Sequence, residues 1–146
     1  MLLEARHVSK FYPGVKALTS VDFSIDAGEV VAVVGENGAG KSTLMKILAG
    51  AIEPNEGELY LDGNSVEFDG PLDAQRRGIC TIYQELMIVP ELSVVENVFL
   101  GHLKKKGIFL DWNAMRKEAK GILSRLGSAP SLDAKAGELS VAEQQL

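Results

Sequence analysis

The sequence predicts an α/β fold: a mixed sheet with an antiparallel N-terminal portion, one glycine loop, and a helical subdomain behind it. Three observations point there. Val30-Val31-Ala32-Val33-Val34 is an unbroken apolar run, the pattern of a parallel strand buried on both faces. The segment from Gly35 to Thr43 is glycine-rich, and beyond it Leu44, Ile47 and Leu48 recur at helical spacing until Gly50. From residue 86 onward the stronger apolar patterns have helical period.

In chain order, Leu2 to Val8 is a strand, and Val21 to Asp26 alternates apolar and polar, so one face is buried. Ala27-Gly28-Glu29 turns the chain into the apolar run, and Glu53 to Gly57 is a loop. Glu58 to Leu61 and Val66 to Phe68 flank Asp62-Gly63-Asn64, a hairpin signal. Pro71 to Gly78 suits a short helix with proline in its first turn and glycine at its end. Ile79 to Tyr83 is the next strand, and its Cys80 reads as a small buried hydrophobe. After a loop through Pro90, Ser93 and Glu96 form a capping box. Gly101 to Gly107 is a flexible connector whose Lys104-Lys105-Lys106 run reads as solvated loop. Asp111 caps a long helix with Trp112, Met115, Ala119, Ile122, Leu123 and Leu126 on its packing face, closed by Gly127. Leu139 to Leu146 reads as the first turn of a further helix.

Gly35-Glu36-Asn37-Gly38-Ala39-Gly40-Lys41-Ser42-Thr43 fits G-x-x-x-x-G-K-[ST], the phosphate-binding P-loop. Glycines let the loop fold tightly, so that successive N–H groups point at a phosphate chain. Lys41 supplies a point charge for the β- and γ-phosphates, and the Ser42 hydroxyl can ligate Mg²⁺. By chance the four fixed positions would coincide in roughly one chain in 100 of this length and composition. Strand, glycine loop and helix in that order is the arrangement in which loop amides and a helix N-terminus bind phosphate together.

Composition narrows the function classes. The 146 residues suffice for a real core, and 46% hydrophobic with 24% charged residues is globular. A net charge of −5 argues against a nucleic-acid surface, which rewards clustered Lys and Arg. No apolar run approaches the ~20 residues that span a bilayer, and Met1-Leu2-Leu3-Glu4-Ala5-Arg6 lacks a signal peptide's apolar segment. One cysteine cannot form an internal disulfide, and His7 and His102 have no metal-ligand partners at useful spacing. A GTPase is disfavoured because neither Asn-Lys-x-Asp nor Asp-x-x-Gly occurs.

Three further motifs resemble those of ATP-binding cassette (ABC) ATPases. Phe11-Tyr12-Pro13-Gly14-Val15-Lys16-Ala17-Leu18 is similar to the family's aromatic loop, with Tyr12 at the position that stacks on adenine. Tyr83-Gln84-Glu85 resembles the glutamine loop, whose carboxamide reaches Mg²⁺ and the attacking water without adding charge. Leu139-Ser140-Val141-Ala142-Glu143 resembles the signature loop, in which Ser140's position meets the γ-phosphate bound to the opposing cassette. Val141, Ala142 and Glu143 depart from the usual Leu-Ser-Gly-Gly-Gln: Val141 restricts the backbone and Glu143 brings a carboxylate near a polyanion. The departures, with Gln84-Glu85-Leu86, Val89 to Val94 and Glu96 to Gly101, resemble the branch that imports ribose, xylose, galactose and other monosaccharides.

The resemblance implies a P-loop NTPase cassette that binds ATP and Mg²⁺ and powers import through an integral-membrane sugar permease. Its partners would be that permease, a second cassette and, indirectly, a sugar-binding protein, with no nucleic acid, at the cytoplasmic face of the cell membrane. The alternative it leaves is a soluble cassette protein acting on nucleic acid or the ribosome. Residues 1–85 would be the nucleotide-binding core, and residues 86–146 the glutamine-loop continuation and helical subdomain up to the signature. Lys41 and Gln84 would serve catalysis, Ser42 and Gln84 the metal, and Tyr12, residues 35–43 and, in trans, Ser140 the nucleotide. The family's second acidic strand, with its Mg²⁺ aspartate and base glutamate, and its sensing histidine follow the signature. They are therefore expected beyond Leu146, in a longer polypeptide of which this is the front of the first cassette. The 146 residues alone are expected to bind nucleotide without turning it over, and to self-associate through the uncovered edge of the Val30–Val34 strand.

Overall fold

An irregular rung in the first strand sets the phase of the N-terminal sheet. Strand β1 (Leu3–Tyr12) pairs antiparallel with β2 (Val15–Ile25) on one side and β3 (Glu56–Leu61) on the other, and β3 pairs with β4 (Asn64–Val66). His7 in β1 and Ser20 in β2 both take positive φ, 51° and 48°, where the pairing shifts register. A bulge adds one residue, so the inward positions change from Ala5 to Val8 in β1 instead of keeping a strict period of two. Gly57 in β3 fits against the same bulge: a Cβ there would lie 2.5 Å from the Arg6 carbonyl oxygen. The structure, a computed structural model, describes residues 1–83, 85–127 and 130–145 in two compact units, Met1–Ile82 and Tyr83–Leu146.

In the first unit, helix α1 (Lys41–Leu48) lays Leu44, Ile47 and Leu48 against Ala5, Val8, Leu18, Leu59, Val66 and Phe68. The helix ends in a Schellman motif. Gly50 has φ 67°, its N–H donates to the Ile47 carbonyl, and Ala51 N–H donates to the Lys46 carbonyl. The β1–β2 turn is Pro13-Gly14, with Gly14 at φ 77°, and the β3–β4 turn is Asp62-Gly63, with both residues at positive φ as a type I′ turn requires. Helix α2 (Pro71–Arg76) begins on its proline and buries Ala74.

In the second unit, helix α3 (Val94–Val98) is capped by the Ser93–Glu96 box foreseen from the sequence. A short hairpin, β5 (Lys105–Lys106) with β6 (Phe109–Leu110), leads to α4 (Trp112–Arg125), whose cap is Asp111 accepting from Ala114 N–H at 3.0 Å. Met115 and Ala119 of α4 pack with Val95 of α3 and with Phe99 at its C-cap, and Leu123 of α4 is also buried. Beyond it lie a 3₁₀ turn, Ala136–Glu138, and α5 (Val141–Gln144).

Several expectations need correction. Val30–Val34 forms no strand, and Val30 and Val34 are 96% and 86% exposed. A strand exists through its ladder, and no described residue pairs with this run, so its apolar side chains stay in solvent. Ile79–Tyr83 behaves alike: it forms no strand, Ile82 is 98% exposed, and Cys80 is exposed rather than buried. Every ladder among the described residues is therefore antiparallel, and the mixed character of the sheet is not seen. Leu126 is exposed because α4 ends at Arg125 and the chain turns away at Gly127, φ 72°. The expected connector at residues 101–107 is partly ordered as β5, with Lys104 paired to Glu118 of α4.

Ile47 is fully buried at the centre of the first core. Ile47→Ala is expected to cost about 3 kcal/mol of unfolding free energy, from the lost methyl groups and the cavity left behind. Urea denaturation checks this, and a change below about 1 kcal/mol would mean α1 is not held on the sheet as described.

Candidate functional site

The glycine loop depends on one close approach. Gly40 is the N-cap of α1 at φ 88°, and a Cβ at this position would lie 2.4 Å from the Ala17 carbonyl oxygen and 2.7 Å from Leu18 Cδ2. Only glycine satisfies both the backbone and the contact. The loop therefore starts its helix directly against β2, with Gly38 (φ 85°) and an Ala39 N–H to Glu36 carbonyl bond tightening the turn before it. Lys41 folds back over this turn: its Nζ donates to the carbonyl oxygens of Gly35 and Glu36, each at 2.8 Å. The ammonium thus sits at the mouth of the loop, held by neutral acceptors that an anion can replace. Ser42 is exposed on the first turn of α1, and Asn37 and Ala39 line the exposed loop.

Tyr12 ends β1, 43% exposed, with the Lys10 ammonium 5.8 Å from its ring centre. The hairpin that carries Tyr12 at its tip also carries Ala17 and Leu18, the residues against Gly40. One hairpin therefore positions both the aromatic ring and the loop.

In the second unit, Gln84 lies outside the described residues. The loop after it is fixed by a residue that pattern reading passed over. Asn97 of α3 accepts from Val89 N–H at 2.7 Å and donates to the carbonyls of Val89 (3.0 Å), Ser93 (3.0 Å) and Leu92 (3.3 Å). Its amide satisfies both donor and acceptor groups of a turn that has no ladder of its own. The available signal was an asparagine one turn into a capped helix behind a proline loop. The same loop is bonded to the segment before α5: Ala136 N–H donates to Leu92 carbonyl (2.9 Å) and Gly137 N–H to Pro90 carbonyl (3.0 Å). Gln144 in α5 donates to the Ala136 and Leu139 carbonyls at 3.0 and 3.1 Å. The Pro90 loop and the turn bearing Ser140 are one hydrogen-bonded body.

Ser140 is the N-cap of α5 in a capping box with Glu143, built like the Ser93–Glu96 box. The S-x-x-E spacing is that of a capping box, a signal that the family resemblance overshadowed. The Ser140 hydroxyl donates to Glu143 Oε2 at 2.6 Å, and Ser140 N–H donates to the same oxygen at 3.0 Å. Glu143 is therefore the mate of the serine it follows, and the serine's hydrogen is directed to that carboxylate. These bonds, from the hydroxyl first and the amide second, hold the Glu143 carboxyl below its ordinary value.

A P-loop that caps its own helix defines the P-loop NTPase class, and comparison with known proteins narrows the class. Residues 18–146 match the model of the ABC transporter family, and the chain belongs to that family. It is 48% identical, over 99% of its length, to a ribose import ATP-binding protein of Rubrobacter xylanophilus. It is 44% identical over 99% of its length to a xylose import ATP-binding protein of Geobacillus kaustophilus. The chain spans 29% of the length of each of these relatives. Among solved structures it is similar to MJ1267, an ATP-binding cassette of an ABC transporter, with TM-score 0.82 and 28% identity. That match covers 98% of this chain and 60% of the other. A dimeric cassette, MJ0796, bound to ADP and Pi, matches at TM-score 0.78 and 27% identity over 97% of this chain and 65% of the other.

The Glu143 carboxyl gives a pH prediction. Its folded pKa lies below its unfolded one, so the box contributes above the ordinary glutamate range and is lost as pH falls through the depressed value. An NMR titration should place the Glu143 midpoint below 4.5, and Ser140→Ala, which removes the hydroxyl and keeps the amide donor, should raise it towards that value. A midpoint at 4.5 or above in the unmutated chain would show that the box is not formed.

Proposed function

We propose that this chain is an ATP-binding part of the energy subunit of a monosaccharide importer. The carrying observation is the P-loop itself: Lys41 held at 2.8 Å on the Gly35 and Glu36 carbonyls, at the N-terminus of a helix seated on the β1–β2 hairpin. ATP is the substrate. Its β- and γ-phosphates would displace the two carbonyls from Lys41 and meet the amides of residues 35–43, including Gly35, Gly38 and Thr43. Tyr12 would take the adenine. Relatives named as ribose and xylose import ATP-binding proteins support the sugar-import reading.

The residues present fit Mg²⁺ in one respect. The Ser42 hydroxyl is an exposed neutral oxygen donor beside the lysine, and no cluster of three acidic, histidine or cysteine side chains among the described residues could hold a metal alone. Ser42 and Gln84 would hold the ion only together with nucleotide phosphates, and it would neutralise charge on the γ-phosphoryl group. Lys41 would neutralise the same charge from the other side, and Gln84 would orient the attacking water. Ser140 would approach the γ-phosphate of an opposing cassette. The Val89–Leu92 loop would receive a helix of the permease, and its bonds to Ala136 and Gly137 would carry that displacement to the Ser140 turn. No helix among the described residues is long and apolar enough to cross a membrane, so a membrane location would come through the permease.

Lys41→Ala is expected to lower ATP affinity at least a hundredfold by titration calorimetry, with thermal stability kept, since Lys41 touches only exposed loop carbonyls. Unchanged affinity would overturn the nucleotide site. Asn97→Ala is expected to leave ATP affinity intact while transport per ATP hydrolysed falls in the reconstituted importer. A parallel loss of ATP binding would mean that the loop is only structural.

A further inference from the structure

Tyr12 stands on a strand end that has run out of sheet. Pairing of β1 with β3 stops at Ser9 opposite Glu56, three residues short of the aromatic ring. In an antiparallel ladder, residues two apart present their backbone groups to the same neighbour. Ser9 and Phe11 are such a pair, and what faces them beyond β3 is Asn55. Its backbone N–H donates to the Ser9 carbonyl at 2.8 Å, and its side-chain Oδ1 accepts from Phe11 N–H at 2.8 Å. The asparagine thus extends the ladder by one rung, using its amide side chain where a strand would use a carbonyl. Next to it, the Glu53 carbonyl accepts from Lys10 Nζ at 2.6 Å, and that anchored ammonium lies 5.8 Å from the Tyr12 ring centre, within cation–π range.

From this geometry we infer that the Glu53–Asn55 loop positions the base-recognition platform. Asn55 fixes the backbone entering Tyr12, and Lys10 fixes the ring by covering one of its faces, which leaves the other for a purine. The role rests on Tyr12 receiving the nucleobase. Neither Asn55 nor Lys10 need touch the nucleotide: they act through Tyr12 and are positioning residues. The consequence is selective, because a loosened ring costs affinity for ligands with a base and none for a bare phosphate chain.

The test compares ATP with inorganic tripolyphosphate by titration calorimetry on the intact protein. Asn55→Ala should lose about three- to tenfold in ATP affinity, part of what a base–aromatic stack contributes, and less than twofold for tripolyphosphate. Asn55→Asp, which keeps an oxygen acceptor for Phe11 N–H, should match the unmutated protein. Amide exchange at Phe11 should accelerate in the alanine variant and not in the aspartate one. Lys10→Met, which removes the ammonium without touching the Asn55 rung, gives a second reading and should lower the ATP-to-tripolyphosphate ratio as well. If Tyr12→Ala lowers that ratio while Asn55→Ala and Lys10→Met leave it unchanged, the positioning role is wrong and the platform stands. If Tyr12→Ala weakens both ligands equally, Tyr12 is not a base platform, and the role of Asn55 falls with it.

Discussion

The packing of Gly40 on Ala17 and Leu18 is the constraint on which the rest of the first unit depends. At 2.4 Å from a carbonyl oxygen there is no room for a side chain, and at φ 88° little tolerance for one. That contact sets where α1 begins, hence which of its faces meets the sheet. It sets the direction of the loop amides and of Lys41, and it joins the loop to the hairpin that ends in Tyr12. A phosphate loop and an aromatic ring far apart in sequence are thereby referred to the same two strands.

The bulges at His7 and Ser20 serve the same end. Without them β1 and β2 would keep a strict alternation, and Val8 would point away from Ala5 instead of joining it beneath α1. The shifted rung is stabilised locally, with His7 N–H donating to Asp22 Oδ1 at 2.7 Å and Ser20 N–H to the buried Ser9 hydroxyl at 3.0 Å. The second unit uses another device. Its helices α3 and α5 are short, five and four residues, and cannot hold their shape by backbone bonds alone. Capping boxes at both, together with the amides of Asn97 and Gln144, supply the missing hydrogen bonds.

Much was legible because it is local. The P-loop, the Asp62-Gly63 turn, the Ser93–Glu96 box, the Asp111 cap and the Gly50 and Gly127 stops depend on residues within one turn of each other, and composition declares them. Asn55 and Asn97 were not legible: each binds backbone groups by geometry that only the folded chain creates, and asparagine in a loop or on a helix is otherwise unremarkable. Glu143 was read only as a departure from a family pattern, although its spacing from Ser140 is that of an ordinary cap.

The sequence by itself determined the glycine loop and its lysine, the helices with their caps, and the membership of the chain in its family, since those rest on residue identity at fixed short spacing. Tertiary structure decided the strands. Val30–Val34 and Ile79–Tyr83 have the composition of buried strands, yet a strand is a relation between segments, and among the described residues neither finds a neighbour to bond. Tertiary structure also decided the phase of β1, because a bulge is recorded in backbone angles and not in any residue type. The backbone that leads into Tyr12 was settled in the same way, where the Asn55 side-chain amide takes the place of a strand that has ended.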